Sequence, residues 1–147
     1  MISLDIKQLL GLDCDFVDDE KTLIAIHTPF RLEDSDPVPV YIEEIDGRLR
    51  FCDLGGVTWQ LICRGIRLND LEQLQFIRDL ASLTGVTLNR DDELELWIDS
   101  ENVNASFTRF MCAMLAMVRW EYEYVASGNA RRLENAAESL LRVPVSA

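Results

Sequence analysis

The sequence contains few of the side chains that most often bind metals or carry out catalysis. Its 147 residues include one histidine, His27, and the four cysteines form no Cys-x-x-Cys pair. Structural zinc sites need closely spaced cysteine and histidine ligands, so none is expected. Gly55-Gly56 is an isolated pair and not a phosphate-binding loop. Because no nucleophile, base and orienting residue stand out together, we favour a protein that is not an enzyme and expect no cofactor and no metal.

Basic residues and long apolar runs are also scarce. Lysine and arginine number 14 against 26 aspartate and glutamate residues, which gives a net charge of −12. This charge disfavours binding to nucleic-acid phosphates and to anionic membranes. No apolar run approaches the roughly 18 residues of a membrane-spanning helix, and residues 1–10 lack the features of a signal peptide. We therefore expect a cytoplasmic protein that contacts neither nucleic acid nor membrane directly.

The four cysteines are predicted to be buried, reduced thiols. Cys52 ends an apolar strand, and Cys63 and Cys112 lie in apolar helical stretches. In such places a free cysteine behaves as a small hydrophobic residue.

The strongest local pattern is a β-hairpin around Asp46-Gly47. A two-residue Asp-Gly loop between extended runs selects a type I′ turn. The resulting register places a charged pair on one face and an apolar pair on the other. These pairs are Glu43 with Arg50, and Ile42 with Phe51.

The remaining elements are predicted from apolar spacing and capping residues. We expect strands over 22–28, 38–45, 48–53, 86–88 and 94–98, and helices over 3–10 (capped by Ser3), 57–64, 69–85 (capped by Asn69), 104–125 and 130–141. Ser127-Gly128-Asn129 is predicted to separate the last two helices. Phe107, Phe110, Met111, Met114, Val118, Tyr122 and Val125 form the apolar stripe of the helix over 104–125.

Because the strands follow one another without alternating with helices, the order favours an α+β fold. We predict an antiparallel sheet, in a three-strand and a two-strand segment, covered by helices, with the helix over 104–125 in the core. The prediction is one domain over 1–142 and a flexible C-terminal tail over 143–147.

A set of short motifs resembles a known family. The run is Thr28-Pro29-Phe30, Val40-Tyr41-Ile42, the Asp46-Gly47 turn, Phe51-Cys52-Asp53-Leu54-Gly55 and Gly85-Val86. In this order and spacing it is similar to the bacterial and phage family of domains of unknown function numbered 1828, over about residues 24–124. The resemblance implies a fold and a bacterial or phage context but no activity. The family usually has Asp-Asp-Gly where this chain has Asp53-Leu54-Gly55, which weakens the idea of a metal held by paired carboxylates. The element order also resembles, at the level of architecture only, acidic secretion chaperones.

The sequence allows two roles for Asp53. At the end of the strand over 48–53 its carboxyl group would be a catalytic acid or base with a shifted pKa, as in a metal-dependent hydrolase. Alternatively, it accepts hydrogen bonds from the turn that contains Gly55.

Acidic residues are concentrated in two stretches. Residues 13–36 contain eight acidic and two basic residues, and residues 91–101 contain six acidic and no basic residues. Clustered loop carboxylates either keep a protein soluble or attract a basic protein surface. The candidate binding residues are Glu33, Asp34, Asp36, Asp91, Asp92, Glu93 and Glu95.

Trp120 and Tyr124 are a second candidate surface, because aromatic residues at the end of the helix over 104–125 exceed what one buried face needs. Self-association as a homodimer is expected there. Together these features predict an acidic protein-interaction module that acts as an adaptor, an inhibitor or a chaperone-like protein. The alternatives are a DNA-mimic inhibitor of a nucleic-acid-binding or defence enzyme, and a metal-dependent hydrolase that uses Asp53.

Overall fold

A six-stranded antiparallel sheet forms the centre of the computed structural model. The structure describes residues 1–32, 36–99 and 102–141, with residues 129–141 as helix backbone. The strands are β1 (Cys14–Phe16), β2 (Leu23–Ile26), β3 (Tyr41–Ile45), β4 (Arg48–Cys52), β5 (Thr87–Leu88) and β6 (Leu94–Trp97), in the spatial order β1-β2-β3-β4-β6-β5. The helices are α1 (Ile6–Leu10), α2 (Gly56–Cys63), α3 (Leu71–Ser82) and α4 (Val103–Leu141). The predicted α+β class is confirmed.

The central hairpin of β3 and β4 has the predicted register. Glu43 pairs with Arg50 and Ile42 pairs with Phe51 across the two strands. Asp46 and Gly47 have φ angles of 52° and 75°, as both central residues of a type I′ turn require. The hairpin was predictable because its turn and its cross-strand pairs lie within a dozen residues of each other.

The first strand, β1, was not predicted. Cys14–Phe16 lies in the acidic segment that was expected to lead into β2, and its backbone pairs with Ile24–Ile26 at the edge of the sheet. Asp15 and Phe16 are exposed, so the segment lacks the apolar alternation that identifies a half-buried strand. Pairing with β2 therefore determines its conformation.

The helices cover one face of the sheet. Ile42, Phe51 and Leu94 on that face are fully buried. The Phe51 ring stacks on Phe110 of α4, with the ring centroids 5.8 Å apart. Burying one such side chain stabilises the fold by about 1.5–3 kcal/mol. Each helix contributes to the same core, and the buried helix residues include Ile6, Leu61, Ile77, Met114 and Met117.

The two C-terminal helices predicted from sequence are one helix in the structure. α4 runs from Val103 to Leu141 without a break at Gly128. A glycine inside a helix costs about 1 kcal/mol relative to alanine, and the long helical flanks on both sides absorb this cost. The apolar stripe also differs from the prediction, because Tyr122 is 61% exposed. At 1.5 Å per residue α4 is about 58 Å long.

Two predicted capping residues were wrong. α1 begins at Ile6 and is capped by the Asp5 side chain, which accepts from the backbone N–H of Gln8, and not by Ser3. α3 is capped by Asp70, which accepts from the N–H groups of Glu72 and Gln73, and not by Asn69. In both cases a carboxylate that lies closer to the first helical turn provides the cap.

The four cysteines are free thiols, but only one is deeply buried. Burial raises the pKa of the Cys52 thiol to about 12. Cys63 and Cys112 are exposed, contrary to the prediction, because they lie on faces of α2 and α4 that point away from the core. Cys14 is half-buried at the sheet edge.

Among the described residues, no helix combines the length and apolar character needed to cross a membrane. The predicted tail over 143–147 lies outside the described residues, so it stays a prediction.

Candidate functional site

The face of the sheet opposite the core carries mainly polar side chains, and we call it the outer sheet face. One row across it consists of Leu23, Glu43, Arg50 and Trp97, on β2, β3, β4 and β6. A neighbouring row contains Asp15, Ala25, Tyr41, Cys52, Glu95 and Thr87. Most of these side chains are exposed or half-buried.

Arg50 lies at the centre of this face and is held by three glutamates. Arg50 Nη2 donates to Glu43 Oε1 at 2.8 Å and to Glu93 Oε1 at 3.1 Å. Nη1 donates to Glu95 Oε2 at 2.5 Å. Burial disfavours the charged guanidinium, but the hydrogen bonds to Glu95 and Glu43 and the charge of Glu93 outweigh it, so the pKa of Arg50 is raised. We call these four residues the Arg50 cluster.

The Arg50 cluster contains more negative than positive charge. One guanidinium faces three carboxylates, an excess of two negative charges when all four groups are ionised. The side chains of Glu93 and Glu95 are only 16% and 15% exposed. Asn89 Nδ2 also donates to both glutamates, at 3.1 and 3.3 Å. Repulsion between the carboxylates is therefore reduced by Arg50 and Asn89 together.

The structure separates the four candidate residues at the start of β6 and in the loop before it. Asp91 and Asp92 are exposed, whereas Glu93 and Glu95 belong to the Arg50 cluster. The sequence analysis treated all four as loop charges. It missed the cluster because Glu93 and Glu95 reach Arg50 only through the pairing of β4 with β6, more than 40 residues away in sequence. The available signal was the alternation of β6, which places Glu95 on the face opposite Leu94 and Leu96.

The other acidic stretch is only partly described. Asp36 is exposed next to a β-bridge between Arg31 and Pro37. Glu33 and Asp34 lie outside the described residues, so their predicted role as binding residues stays a prediction.

Asp53 is 1% exposed and both of its carboxylate oxygens are engaged with backbone N–H groups. Oδ1 accepts from Gly55 at 2.8 Å and from Leu94 at 2.9 Å, and Oδ2 accepts from Val57 at 3.0 Å. Burial raises the pKa of Asp53, and the three N–H donors oppose that shift. These contacts join the end of β4, the start of α2 and the start of β6.

The two glycines after Asp53 meet different requirements. Gly55 has a φ of 79°, in the left-handed region where a side chain is strained. Gly56 lies so close to Pro39 that an added Cβ would stand 2.6 Å from Pro39 Cγ. The turn therefore depends on glycine at both positions.

Glu121 is a buried acid that the sequence analysis did not single out. It lies on α4, is 1% exposed and accepts from Arg64 Nε at 3.0 Å and from Gln60 Nε2 at 3.2 Å. Its spacing of four residues from Met117 was the available signal, because it places a carboxyl group within the buried face of α4. The contacts fasten the end of α2 to α4.

The predicted aromatic surface on α4 extends onto α3. The Trp120 ring lies 4.7 Å from the Phe76 ring and 6.1 Å from the Tyr124 ring, measured between centroids. Trp120 and Tyr124 are half-buried, and Phe76 is 45% exposed. We call Phe76, Trp120 and Tyr124 the aromatic surface.

In the described part of the chain, no group of three or more histidine, cysteine, aspartate or glutamate side chains has the arrangement of a metal site. The three glutamates around Arg50 face a guanidinium instead. His27 Nε2 lies 2.8 Å from Asp15 Oδ2 in an exposed pair at the sheet edge.

A protein-family model described as "Domain of unknown function DUF1828" matches residues 28–117. The match covers more than half of the chain. The chain belongs to the DUF1828 family. This confirms the family resemblance recognised from the Thr-Pro-Phe and Asp-x-Gly motifs. No curated protein and no solved structure gave a match.

The DUF1828 match contains the Arg50 cluster and the Asp53 turn but not the whole aromatic surface. Its residues run from Thr28, two residues beyond the end of β2, to Met117 in α4. Phe76 lies within the match, whereas Trp120, Glu121 and Tyr124 lie beyond it. Residues 1–27, with α1, β1 and β2, also lie outside the match, although β1 and β2 complete the same sheet.

Proposed function

We propose that this DUF1828 chain is a cytoplasmic protein-interaction module of bacterial or phage origin, without enzymatic activity, that binds a basic surface of another protein. The observation that carries the proposal is the Arg50 cluster on the outer sheet face. Buried acidic groups normally occur in balanced pairs, because an unpaired charge is costly to remove from water. A cluster that keeps two surplus negative charges is suited to receive a cation from a partner.

The unused oxygens of the cluster indicate how a partner would be recognised. Glu43 Oε2, Glu93 Oε2 and Glu95 Oε1 accept no hydrogen bond from the described residues. An arginine or lysine side chain is the complementary donor. Asp91 and Asp92, exposed on the adjoining loop, would accelerate the encounter by long-range attraction.

A DNA-mimic inhibitor is a special case of this proposal, in which the basic surface of the partner is one that binds DNA. Competition between DNA and this chain for the partner distinguishes the two versions. The hydrolase alternative is less well supported, because three backbone N–H groups already occupy the carboxylate oxygens of Asp53. Those contacts favour a structural role for Asp53.

The test uses two double variants that change the net charge equally, from −12 to −10. The first is Asp91→Asn with Asp92→Asn, beside the outer sheet face. The control is Asp19→Asn with Glu20→Gln, in an exposed loop before β2. A partner captured from a bacterial lysate and released by salt is purified, and its association rate constant is measured for both variants by surface plasmon resonance.

We expect the Asp91/Asp92 variant to associate several-fold more slowly and with a weaker salt dependence than the control, because steering depends on charges near the interface. Equal rate constants for the two variants, or a partner whose binding ignores salt, would contradict the proposal. Glu93 and Glu95 are left unchanged, because neutralising them would also remove two of the three carboxylates that balance the charge of Arg50.

A further inference from the structure

We propose that β1, at the edge of the sheet, pairs with an extended basic segment of another protein, which adds a further antiparallel strand. The proposal does not depend on the Arg50 cluster, which lies on a face of the sheet and not at its edge. It rests on the backbone groups that β1 turns away from the sheet and on the charges around them.

Half of the backbone hydrogen-bonding groups of β1 point away from β2. Asp13 and Val17 flank β1, and each makes a backbone hydrogen bond of 2.9 Å to the β2 side. These groups alternate in direction along an antiparallel strand, so the N–H and C=O groups of Cys14 and Phe16 point outward. No described strand pairs with β1 on that side.

β1 is the longer of the two edge strands of the sheet. It has three residues, whereas the opposite edge strand, β5, has only the two residues Thr87–Leu88. An open strand edge is a template for the backbone of another extended chain, and peptide-binding domains use such edges. The geometry of β1 therefore fits an extended segment rather than a helix or a small molecule.

The charges around β1 favour a basic occupant. Residues 13–20 include five acidic and no basic residues. Lys7 contacts Asp13 at 3.1 Å, and Lys21 Nζ lies 5.6 Å from the centre of the Phe16 ring. These two lysines leave an excess of three negative charges when histidine is neutral, and lysine or arginine side chains would balance it.

The same charges disfavour a second copy of this chain as the occupant. Two β1 strands paired across a two-fold axis would be antiparallel and would bring both acidic segments together. Asp15 is the middle residue of β1, so a symmetric pairing centred there would place two carboxylates directly opposite each other. Like charges in that position destabilise a strand pair.

The alternation of β1 predicts the sequence pattern of the added strand. Cys14 and Phe16 pair with the buried Ile26 and Ile24, so their side chains lie on the face that the helices cover, and Asp15 lies on the other face. In an antiparallel pair, the residues that bond to Cys14 and Phe16 lie directly opposite them, on the same face. Apolar residues suit those positions, and lysine or arginine suits the positions between them, on the side of Asp15.

The first test uses an eight-residue peptide of alternating lysine and valine, acetylated, amidated and fluorescently labelled. Its dissociation constant for the full chain is measured by fluorescence anisotropy at low ionic strength. Two further peptides of the same charge are N-methylated at every valine or at every lysine. Only the valine N–H groups face β1, so we expect the peptide methylated at valine to bind at least about ten-fold more weakly than the one methylated at lysine. Equal affinities, or an unmodified peptide that does not bind, would overturn the proposal.

The second test compares Phe16→Pro with Phe16→Val. Both variants remove the ring, but only proline removes the outward N–H, and edge strands accept proline where the N–H faces solvent. We expect Phe16→Pro to bind the unmodified peptide about three- to ten-fold more weakly than Phe16→Val. If circular dichroism shows that Phe16→Pro is unfolded, the methylated peptides on the unaltered chain decide the result. Equal binding by two folded variants would contradict strand addition at β1.

Two charge variants keep this proposal separate from the one for the outer sheet face. Asp19→Asn with Glu20→Gln, in the loop between β1 and β2, should weaken peptide binding several-fold, and Asp91→Asn with Asp92→Asn should leave it unchanged. Peptide binding that depends only on Asp91 and Asp92 would overturn the proposal for β1. Sedimentation velocity that shows a dimer dissociated by Phe16→Pro but not by Phe16→Val would overturn it too, because the occupant of the edge would then be a second copy.

Discussion

Arg50 shows how one residue determines the chemistry of a whole face. Its guanidinium is 7% exposed and balances part of the charge of Glu43, Glu93 and Glu95. The pair with Glu43 was predictable from the Asp-Gly turn, because both residues belong to one hairpin. The contacts with Glu93 and Glu95 were not, since they depend on which strand pairs with the far edge of β4. Local sequence patterns contain no information on that choice.

Replacing Arg50 by methionine leaves three carboxylates close together without a counter-charge. Removing one partner of a fully buried ion pair costs about 3–5 kcal/mol. Because the side chains of Glu43, Glu93 and Glu95 are 24%, 16% and 15% exposed, we expect the free energy of unfolding to fall by less, about 1–3 kcal/mol, at neutral pH. Urea denaturation measures it. Arg48→Met is the control, because Arg48 is an exposed arginine that stacks on the Trp97 ring at 4.5 Å and should cost less than about 1 kcal/mol.

The loss of stability in Arg50→Met should depend on pH. The destabilisation by Arg50→Met arises from repulsion between ionised carboxylates, so it is greatest at neutral pH and shrinks when acid protonates carboxylates. An Arg50→Met variant that loses the same free energy at neutral and acidic pH would contradict the electrostatic explanation and indicate lost packing instead.

At the scale of elements, the sequence predicted correctly those helices and strands that depend on contacts between residues close in sequence. The type I′ hairpin and the strands β5 and β6 were predicted, because turns and alternation are local. β1 was missed, because three mainly exposed residues become a strand only by pairing with β2. The division of α4 was wrong, because Ser127-Gly128-Asn129 is a weak break when both flanks favour a helix.

Gly128→Ala tests the continuity of α4, and Gly65→Ala is its control. An added Cβ at Gly128 would meet no atom within 4 Å, so Gly128→Ala should raise stability by about 0.5–1 kcal/mol and increase the helical circular dichroism signal. Gly65→Ala is the control: it also has open space, but its φ of 94° strains any side chain, so stability should fall. A helical signal unchanged by Gly128→Ala would indicate a break at residues 127–129.

At the scale of the whole molecule, the net charge and the aromatic surface lie in different elements. The strands and loops carry the net charge of −12, and the helical segments carry none. The sequence analysis located the two acidic stretches and the aromatic residues of α4, but it did not assign Phe76 of α3 to the same surface as Trp120. That assignment requires the order of the strands and the packing of the helices on one face, both of which arise from contacts distant in sequence.

The strand order β1-β2-β3-β4-β6-β5 also has a consequence for the folding pathway. Four of the five strand junctions, β1 with β2, β2 with β3, β3 with β4 and β5 with β6, join strands that are consecutive in sequence. The junction of β4 with β6 closes a loop that contains both α2 and α3, so we expect it to form late, because long loops lose the most entropy. Until then Arg50 remains in water beside Glu43 alone.

Burial of the Arg50 charge would therefore follow the rate-limiting step. Arg50→Met should accelerate unfolding and leave the folding rate constant almost unchanged, as for interactions that are absent from the transition state. Stopped-flow measurements of both rate constants test this expectation. The opposite result is a folding rate constant that falls enough to account for the whole loss of stability. It would show that β4 and β6 already pair in the transition state for folding.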